Sequence, residues 1–554
     1  MSKAKIYYGD IAPDAKENFV AEAQDIADFV NLSQLQVNDL RVGNYANPCE
    51  KYQTLLDGSM EVFPQQLSEA KAGFWSNSLS DERGRFEEPI ELRLRSQGVF
   101  ASSGITLTFD VDNNIYCTYL SISWHYNGEE VSFAEFNPDA PIYFCENKVD
   151  YYDELVITFY EMNMPLQRMK LRSIEYGRGI TFSASELKDV KLIQQIDPIS
   201  ETIYINTCDF TLNANNDIEY FFQKKQPLKA YFDGNLLSTV FIESAKRQNK
   251  NTWKISAGDY FSILDNITFM GGIYDNIYVG YLLDEIFNQT NVPHHIDEEI
   301  YQETVRGYIP ICSCREAIQR ICFACGLSAT TANIDYVNIS KLPNYITEDI
   351  AASKIKQNPS YEYLDKVTEI QITQHEFVKS TEQIVLFDAS NGVDPNGELV
   401  FVEFPEPIYN LIIMGSGTIE SSGTNFAYIT AYANTILKGY RYVDKKQVAV
   451  KQNQLVLSSD LQNIKTISDQ YLVSADNIDN VLNMCYNYYT GDLKADISIF
   501  ERTYDYWTTV GDVVSVSTDY LGNVTGRIIS QRFNLNGGLL LKKTELVRYN
   551  YDHE

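Results

Sequence analysis

Leu228-Lys-Ala-Tyr-Phe-Asp-Gly-Asn-Leu-Leu237 decides the fold class. Leu228, Ala230 and Phe232 alternate with Lys229 and Tyr231, the period of two that puts apolar side chains on one face of a strand. Asp233-Gly234 then supplies the positive φ angles of a tight hairpin turn. Working outward, Cys208, Phe210 and Leu212 alternate with Asp209 and Thr211. Val240 to Ser244 and Trp253 to Ser256 follow as strands around a polar turn at Gln248 to Asn251. Residues 178–272 thus read as a small β-barrel or half-barrel.

The same pattern recurs on both sides. Towards the C-terminus, Asp496–Arg502, Val513–Thr518, Val524–Gln531 and Leu539–Leu546 form a meander. Its turns fall at Tyr520 to Asn523 and Asn536 to Gly538. Tyr361–Thr373 and Thr381–Phe387 are further strand candidates, and Ala427 to Leu437 reads as a helix closed by Gly439. Residues 346–554 become a second barrel carrying an insertion around 388–490. Towards the N-terminus, Ile105, Leu107 and Phe109 alternate with Thr106, Thr108 and Asp110. Leu155, Ile157 and Phe159 repeat the pattern, and turns fall at Asp112-Asn113-Asn114 and Asn127-Gly128. Short strands at this spacing make 71–177 a jelly-roll β-sandwich, with Gly177-Arg178-Gly179 as a linker. Residues 1–70 are an N-terminal extension, with a short helix at Ala21 to Phe29 and a loop at Asn44 to Cys49.

Helical signals concentrate in 273–345. Val279, Leu282, Leu283 and Ile286 stand at i, i+3, i+4 and i+7. Ser313 and Glu316 form an S-x-x-E capping box ahead of the stripe Ile318, Ile321, Cys322, Cys325, and Gly326 ends it. A strand at Tyr336 to Ile339 completes an α/β insertion. The fold class is therefore mainly β with an α/β insertion: two small β-barrels preceded by a jelly roll.

The chain has 554 residues, enough for several cores. It carries 45 basic against 75 acidic residues, a net charge of −30. Such a surface repels phosphate backbones, so specific nucleic-acid binding is not expected. No apolar run reaches the ~18 residues that span a bilayer, and Met1-Ser-Lys-Ala-Lys-Ile lacks a signal-peptide core. The expectation is synthesis and assembly in the cytoplasm. Nine Cys scattered over this length do not form a disulfide framework.

Catalytic and metal chemistry find little footing. Cys312, Cys314, Cys322 and Cys325 are spaced C-x-C-x₇-C-x₂-C, whereas zinc sites pair two C-x₂₋₄-C elements across a longer loop. A helix burying Cys322 and Cys325 cannot easily aim all four sulfurs at one ion, so they read as core. His125, His294, His295, His375 and His553 are the only histidines. Gly271-Gly272 and Gly415-Ser416-Gly417 lack the Lys of a phosphate loop. No catalytic residue, cofactor or metal is expected, and the chain reads as a non-enzyme. Trp75, Trp124 and Tyr126 are the candidate glycan contacts, with core packing as the alternative for the two Trp.

Two ordered blocks carry a resemblance: Ile263-Leu-Asp-Asn-Ile-Thr-Phe-Met-Gly-Gly-Ile-Tyr-Asp-Asn276 and Gly307-Tyr-Ile-Pro-Ile-Cys-Ser-Cys-Arg-Glu-Ala-Ile-Gln-Arg-Ile-Cys-Phe-Ala-Cys-Gly326. Asn206 to Leu212, Phe222 to Leu228, Val510-Gly-Asp-Val-Val514 and Gly526-Arg-Ile-Ile529 add to it. Over roughly 178–554, with gaps in 381–490, these resemble baseplate hub proteins of phage tails and phage-tail-like particles of Gram-positive bacteria. Phe74-Trp-Ser-Asn-Ser-Leu-Ser-Asp81, Tyr143 to Asn147 and Leu155 to Phe159 resemble a discoidin-type jelly roll.

The hub resemblance implies a structural homotrimer in the baseplate of a virion or contractile injection particle. Two barrels per chain would make six, matching a hexameric tail tube or distal tail protein above. A tail tip, spike or tape-measure protein would lie below, and other baseplate subunits around. Family members often continue into a peptidoglycan hydrolase or a fibre. This chain stops after the second barrel, so wall cleavage would fall to another subunit. The jelly-roll resemblance implies the alternative, a carbohydrate-binding adhesin that reaches cell-wall glycan through 71–177.

Overall fold

The computed structural model of the chain describes residues 4–11, 15–28, 30, 32–36, 73–111, 113–213, 225–355, 359–389, 397–453, 462–501, 508–518, 522–536 and 539–549. The expected loop at Asn44 to Cys49 and the meander turns at 519–521 and 537–538 lie outside the described residues. The chain is mainly β and divides into two units, one within residues 7–181 and one mostly from 182 onward.

The N-terminal unit is built on a six-stranded sheet ordered Phe19–Ala23, Arg85–Thr108, Ile142–Met162, Cys117–Tyr126, Glu129–Phe136, with Ser173–Glu175 on the far end of Arg85–Thr108. The long strand Arg85–Thr108 slips register at Arg95/Phe100, Phe100/Ser102 and Ser102/Gly104. Each slip bends and twists a strand, so one segment turns a corner rather than lying flat. The inward row Leu92, Ile157, Ile122 is fully buried among Phe19, Phe74, Phe109 and Phe159. A second pair, Phe74–Leu79 with Arg168–Leu171, completes the unit. The helix expected from Ala21 is instead strand Phe19–Ala23, paired with Leu92 to Ser96. Its burial alternates from Phe19 onward, a period that fits a strand. The expected linker is also strand, Gly177–Ser183, and Thr106 Oγ1 donates to the Gly177 carbonyl at 2.6 Å.

In the larger unit, part of a thirteen-stranded sheet runs through Pro227–Phe232, Asn235–Arg247, Thr252–Gly258, Thr207–Asn213 and Leu187–Gln195. It continues directly into Gly522–Asn536, Leu539–Arg548, Leu493–Glu501 and Ser360–Tyr363. Val513–Thr518 pairs with Gly522–Asn536 on one side and with Ile346–Ile350 on the other. The hairpin turn is as the sequence dictates: Asp233 and Gly234 have φ of 54° and 85°. The second half curls around Ile350, Ile497, Val514, Val516, Ile528 and Leu546, with Ile355 and Tyr361 packed against them.

One insertion lies between the halves, and a second interrupts the second half between Ser360–Tyr363 and Leu493–Glu501. In the first, helix Val279–Asn288 buries Val279, Leu282, Leu283 and Ile286, and helix Cys314–Cys325 carries the capping box of Ser313 and Glu316. Gly326 closes it in the left-handed region at φ 66°. In the second, a four-stranded sheet (Ile408–Met414, Ile436–Gln452, Glu369–Asp388, Ile464–Ile467) accompanies a three-stranded one (Glu398–Glu403, Phe426–Ala431, Thr418–Ser422). The helix expected over Ala427 to Leu437 is absent. Ala427, Ile429 and Ala431 are buried while Phe426, Tyr428 and Thr430 are half-buried, a period of two that only a strand satisfies. Helix Ile478–Tyr489 buries Ile478, Val481, Leu482 and Cys485 against Ile370, Ile372 and Ile467.

Replacing Ser313 by Ala removes one half of the capping box and should cost about 1 kcal/mol. Ser313→Asp should retain most of it. Urea denaturation of the two variants beside the parent chain measures the difference.

Candidate functional site

The three aromatic candidates do not form one exposed surface. Trp124 points inward from strand Cys117–Tyr126, opposite Leu155, and is fully buried. Trp75 is 5% exposed, packs with Ala27 and Val30, and lies 4.3 Å beneath Lys170 Nζ. Lys170 is itself buried, 3.9 Å from Asp110, which holds Arg172 at 2.7 Å. Only Tyr126, edge-on to Tyr151 at 5.3 Å, keeps contact with solvent. A ring without an exposed face has none to stack on a sugar. Trp75 and Trp124 are therefore core residues, which corrects their place among the glycan candidates.

The outward face of the same sheet holds groups that the sequence did not single out. Tyr119 and Tyr160 stack at 4.8 Å; Tyr119 donates to Glu135 at 2.8 Å, and Tyr160 bonds Ser121 at 3.1 Å. Farther along the same strand as Tyr160, Glu154 binds Arg93 at 2.6 Å and Arg95 at 3.2 Å. Their cross-strand register becomes visible only once the strands are paired.

The four cysteines of the first insertion stay apart in role. Cys322 is buried in the insertion core, and Gln289 Nε2 donates to the buried Cys314 sulfur at 3.1 Å. Cys312 and Cys325 are half-buried, and burial pushes both thiols up to about 12. No cluster of three metal-ligating side chains occurs among the described residues. His294 stacks on Phe287 at 4.2 Å, while the neighbouring His295 faces Asp297. His375 is buried, its Nδ1 2.8 Å from Asp444, with Tyr471 edge-on at 5.0 Å.

The most extensive arrangement is the junction of the two sheet halves. Lys191 to Gln195 pair antiparallel with Asn534 to Ser530, and Ile196 N donates to the Ile529 carbonyl at 2.9 Å. Leu192 and Phe533 face each other in the buried layer. Gln194 and Gln531 also oppose one another with no exposure. Each amide turns to its own half: Gln194 Nε2 donates to the Leu237 carbonyl at 2.7 Å, and Gln531 Nε2 to the Thr508 carbonyl at 3.1 Å. Two of the blocks that carried the resemblance meet nearby. Gly511 at φ 96° turns the chain into strand Val513–Thr518. Its carbonyl accepts from the buried Arg527 at 2.6 Å, and its N–H donates to Ile528. Lys542, also buried, donates to Thr508 Oγ1 at 2.7 Å.

One buried carboxyl ties the sheet to the first insertion, and a half-buried one braces the turn after Leu187–Gln195. Asp259 caps helix Tyr260–Leu264 by accepting from Phe261 N at 3.1 Å, and takes the Thr331 hydroxyl at 2.5 Å. Burial pushes its carboxyl up to about 7. Asp197 accepts from Ile199 and Thr202 backbone N–H groups and is pushed up to about 6, again by burial.

No protein-family model matches the chain, and no curated protein does. Solved structures similar to it include the 43 kDa tail protein of prophage MuSo2 from Shewanella oneidensis. That likeness has 8% identity and a TM-score of 0.42, covering 67% of this chain and 96% of that one. A tail protein from Neisseria meningitidis MC58 is similar at 11% identity and TM-score 0.42, covering 67% and 94%. A family 32 carbohydrate-binding module of C. perfringens NanJ, in complex with galactose, is similar at 12% identity and TM-score 0.19, covering 31% and 98%. No helix among the described residues is long and apolar enough to cross a membrane.

The raised Asp259 carboxyl links stability to pH. Folding favours its protonated form, so its contribution is complete below about pH 4 and is lost as pH rises to about 7. A shift of this size is worth on the order of 4 kcal/mol. Asp259→Asn keeps the cap and cannot ionise. Melting temperatures from pH 4 to 8 should fall less in this variant than in the parent chain.

Proposed function

We propose that the chain is a non-catalytic baseplate hub of a phage or phage-like tail. In this reading it assembles in the bacterial host and trimerises to join a hexameric tail tube to a trimeric tip or spike. The observation that carries the reading is the junction of Lys191 to Gln195 with Ser530 to Asn534. It makes two curled sheet halves into one wall, so three chains would present six half-barrels to a six-fold neighbour. Conserving that geometry needs a rigid junction, and a buried layer of Leu192 and Phe533 beside tied glutamines provides one. The ordered sequence blocks around Val510-Gly-Asp and Gly526-Arg support the same reading, because they build the wall next to this junction. The adhesin alternative keeps Tyr126 but loses Trp75 and Trp124 to the core.

Mass photometry and negative-stain imaging of the full chain at micromolar concentration test the hub reading. The expected species is a ring containing three 63.3 kDa chains, with no clearing of a peptidoglycan zymogram. A population that stays monomeric up to tens of micromolar, or one that clears the gel, would count against it.

A further inference from the structure

Of the strand edges in the second insertion that have no strand partner among the described residues, two are complementary. Strand Glu398–Glu403 lies at the side of its three-stranded sheet and pairs only with Phe426–Ala431. Strand Ile436–Gln452 pairs with Ile408–Met414 only as far as Arg441, and from Val443 onward its strand partner is Glu369–Asp388 alone. Open edges of this kind are templates for another chain.

The two edges match in detail. One reads Glu398-Leu-Val-Phe-Val-Glu403 and the other Lys446-Gln-Val-Ala-Val-Lys451, with carboxylates and ammonium groups at the same spacing. Laid antiparallel, Glu403 stands opposite Lys446 and Glu398 opposite Lys451. Between them Phe401 meets Val448 and Leu399 meets Val450. These four apolar side chains are 43%, 59%, 64% and 47% exposed, in that order. Directly opposed residues share a sheet face, and the register respects both faces. Val400 and Val402 line the core of their own sheet, and Ala449 lines the helix side of the other.

Charge favours the pairing as well. Glu398, Glu403 and Glu420 have no ion-pair partner among the described residues. Lys446 is 59% exposed and only 3.6 Å from Asp444. Lys451 reaches Asn483 and lies over Tyr486 on the helix side. Lysines on an open strand commonly guard against pairing, but a strand with glutamates at matching positions removes that barrier.

We propose that strand Glu398–Glu403 of one copy adds antiparallel to Lys446–Lys451 of a second copy of this chain, in the register that sets Glu403 beside Lys446. The contact is head-to-tail, the kind that closes into a ring when the rotation allows. It deepens the trimer reading by naming a surface that holds the copies together.

Two full-length variants, Phe401→Cys and Val448→Cys, are purified separately and mixed under mild oxidation. Directly opposed positions suit a disulfide. The mixture should give several-fold more covalent dimer than either variant alone. Glu403→Lys should weaken self-association about tenfold in mass photometry, and adding Lys446→Glu to the same chain should restore it. Matched melting curves confirm that the variants fold. An assembled parent chain whose oligomer ignores Glu403→Lys, with no cross-link above the single variants, overturns this interface and leaves the trimer reading intact. A parent chain that never assembles overturns both.

Discussion

Everything in the larger unit hangs on one antiparallel contact, the pairing of Lys191 to Gln195 with Ser530 to Asn534. Leu187–Gln195 has Thr207–Asn213 on its other side, so it is a shared strand rather than an edge. Gly522–Asn536 likewise pairs with Val513–Thr518 and Leu539–Arg548 as well. Without the contact, each half would end in an open edge with its apolar row uncovered. With it, the facing backbone groups of the two strands are paired. The opposed Gln194 and Gln531 add direction. An apolar pair there would pack in several registers, whereas amides that must reach the Leu237 and Thr508 carbonyls fit one.

Local signals in the sequence proved sound where the structure is local. The hairpin at Asp233-Gly234, the capping box at Ser313 and the αL stop at Gly326 each depend on residues within one turn. Strand Val513–Thr518 has the bounds that its alternation implies. Ala427 to Leu437 was misleading because alanines invite a helical reading, although the apolar period there is two. Helix Ile478–Tyr489 carries its stripe at i, i+3, i+4 and i+7, but Asn and Tyr on the other faces dilute it.

Non-local features left no mark of their own. Nothing around Lys191 names residue 534 as its partner, and no local pattern tells a buried Gln from an exposed one. The aromatic candidates show the same limit from the other side. Trp124 and Tyr126 are two residues apart on one strand, so both project from the same face, yet Trp124 is fully buried and Tyr126 lies at the hairpin end. Which of them touches solvent depends on how far the covering layer reaches.

The junction also sets a timetable. Strand Leu187–Gln195 leaves the ribosome long before its partner around Asn534. At about 5–20 residues per second the wait is roughly 20–70 s. During that interval the strand carrying Leu192 has an unpaired edge, in a chain that carries a second unfinished wall downstream. The buried, tied ends of the contact are thus also its slowest to form, because loop closure over such a distance comes before any reward. The large negative charge, which repels neighbouring nascent copies, acts over this same interval. The contact that closes the wall is thus the one whose two strands are made farthest apart in time.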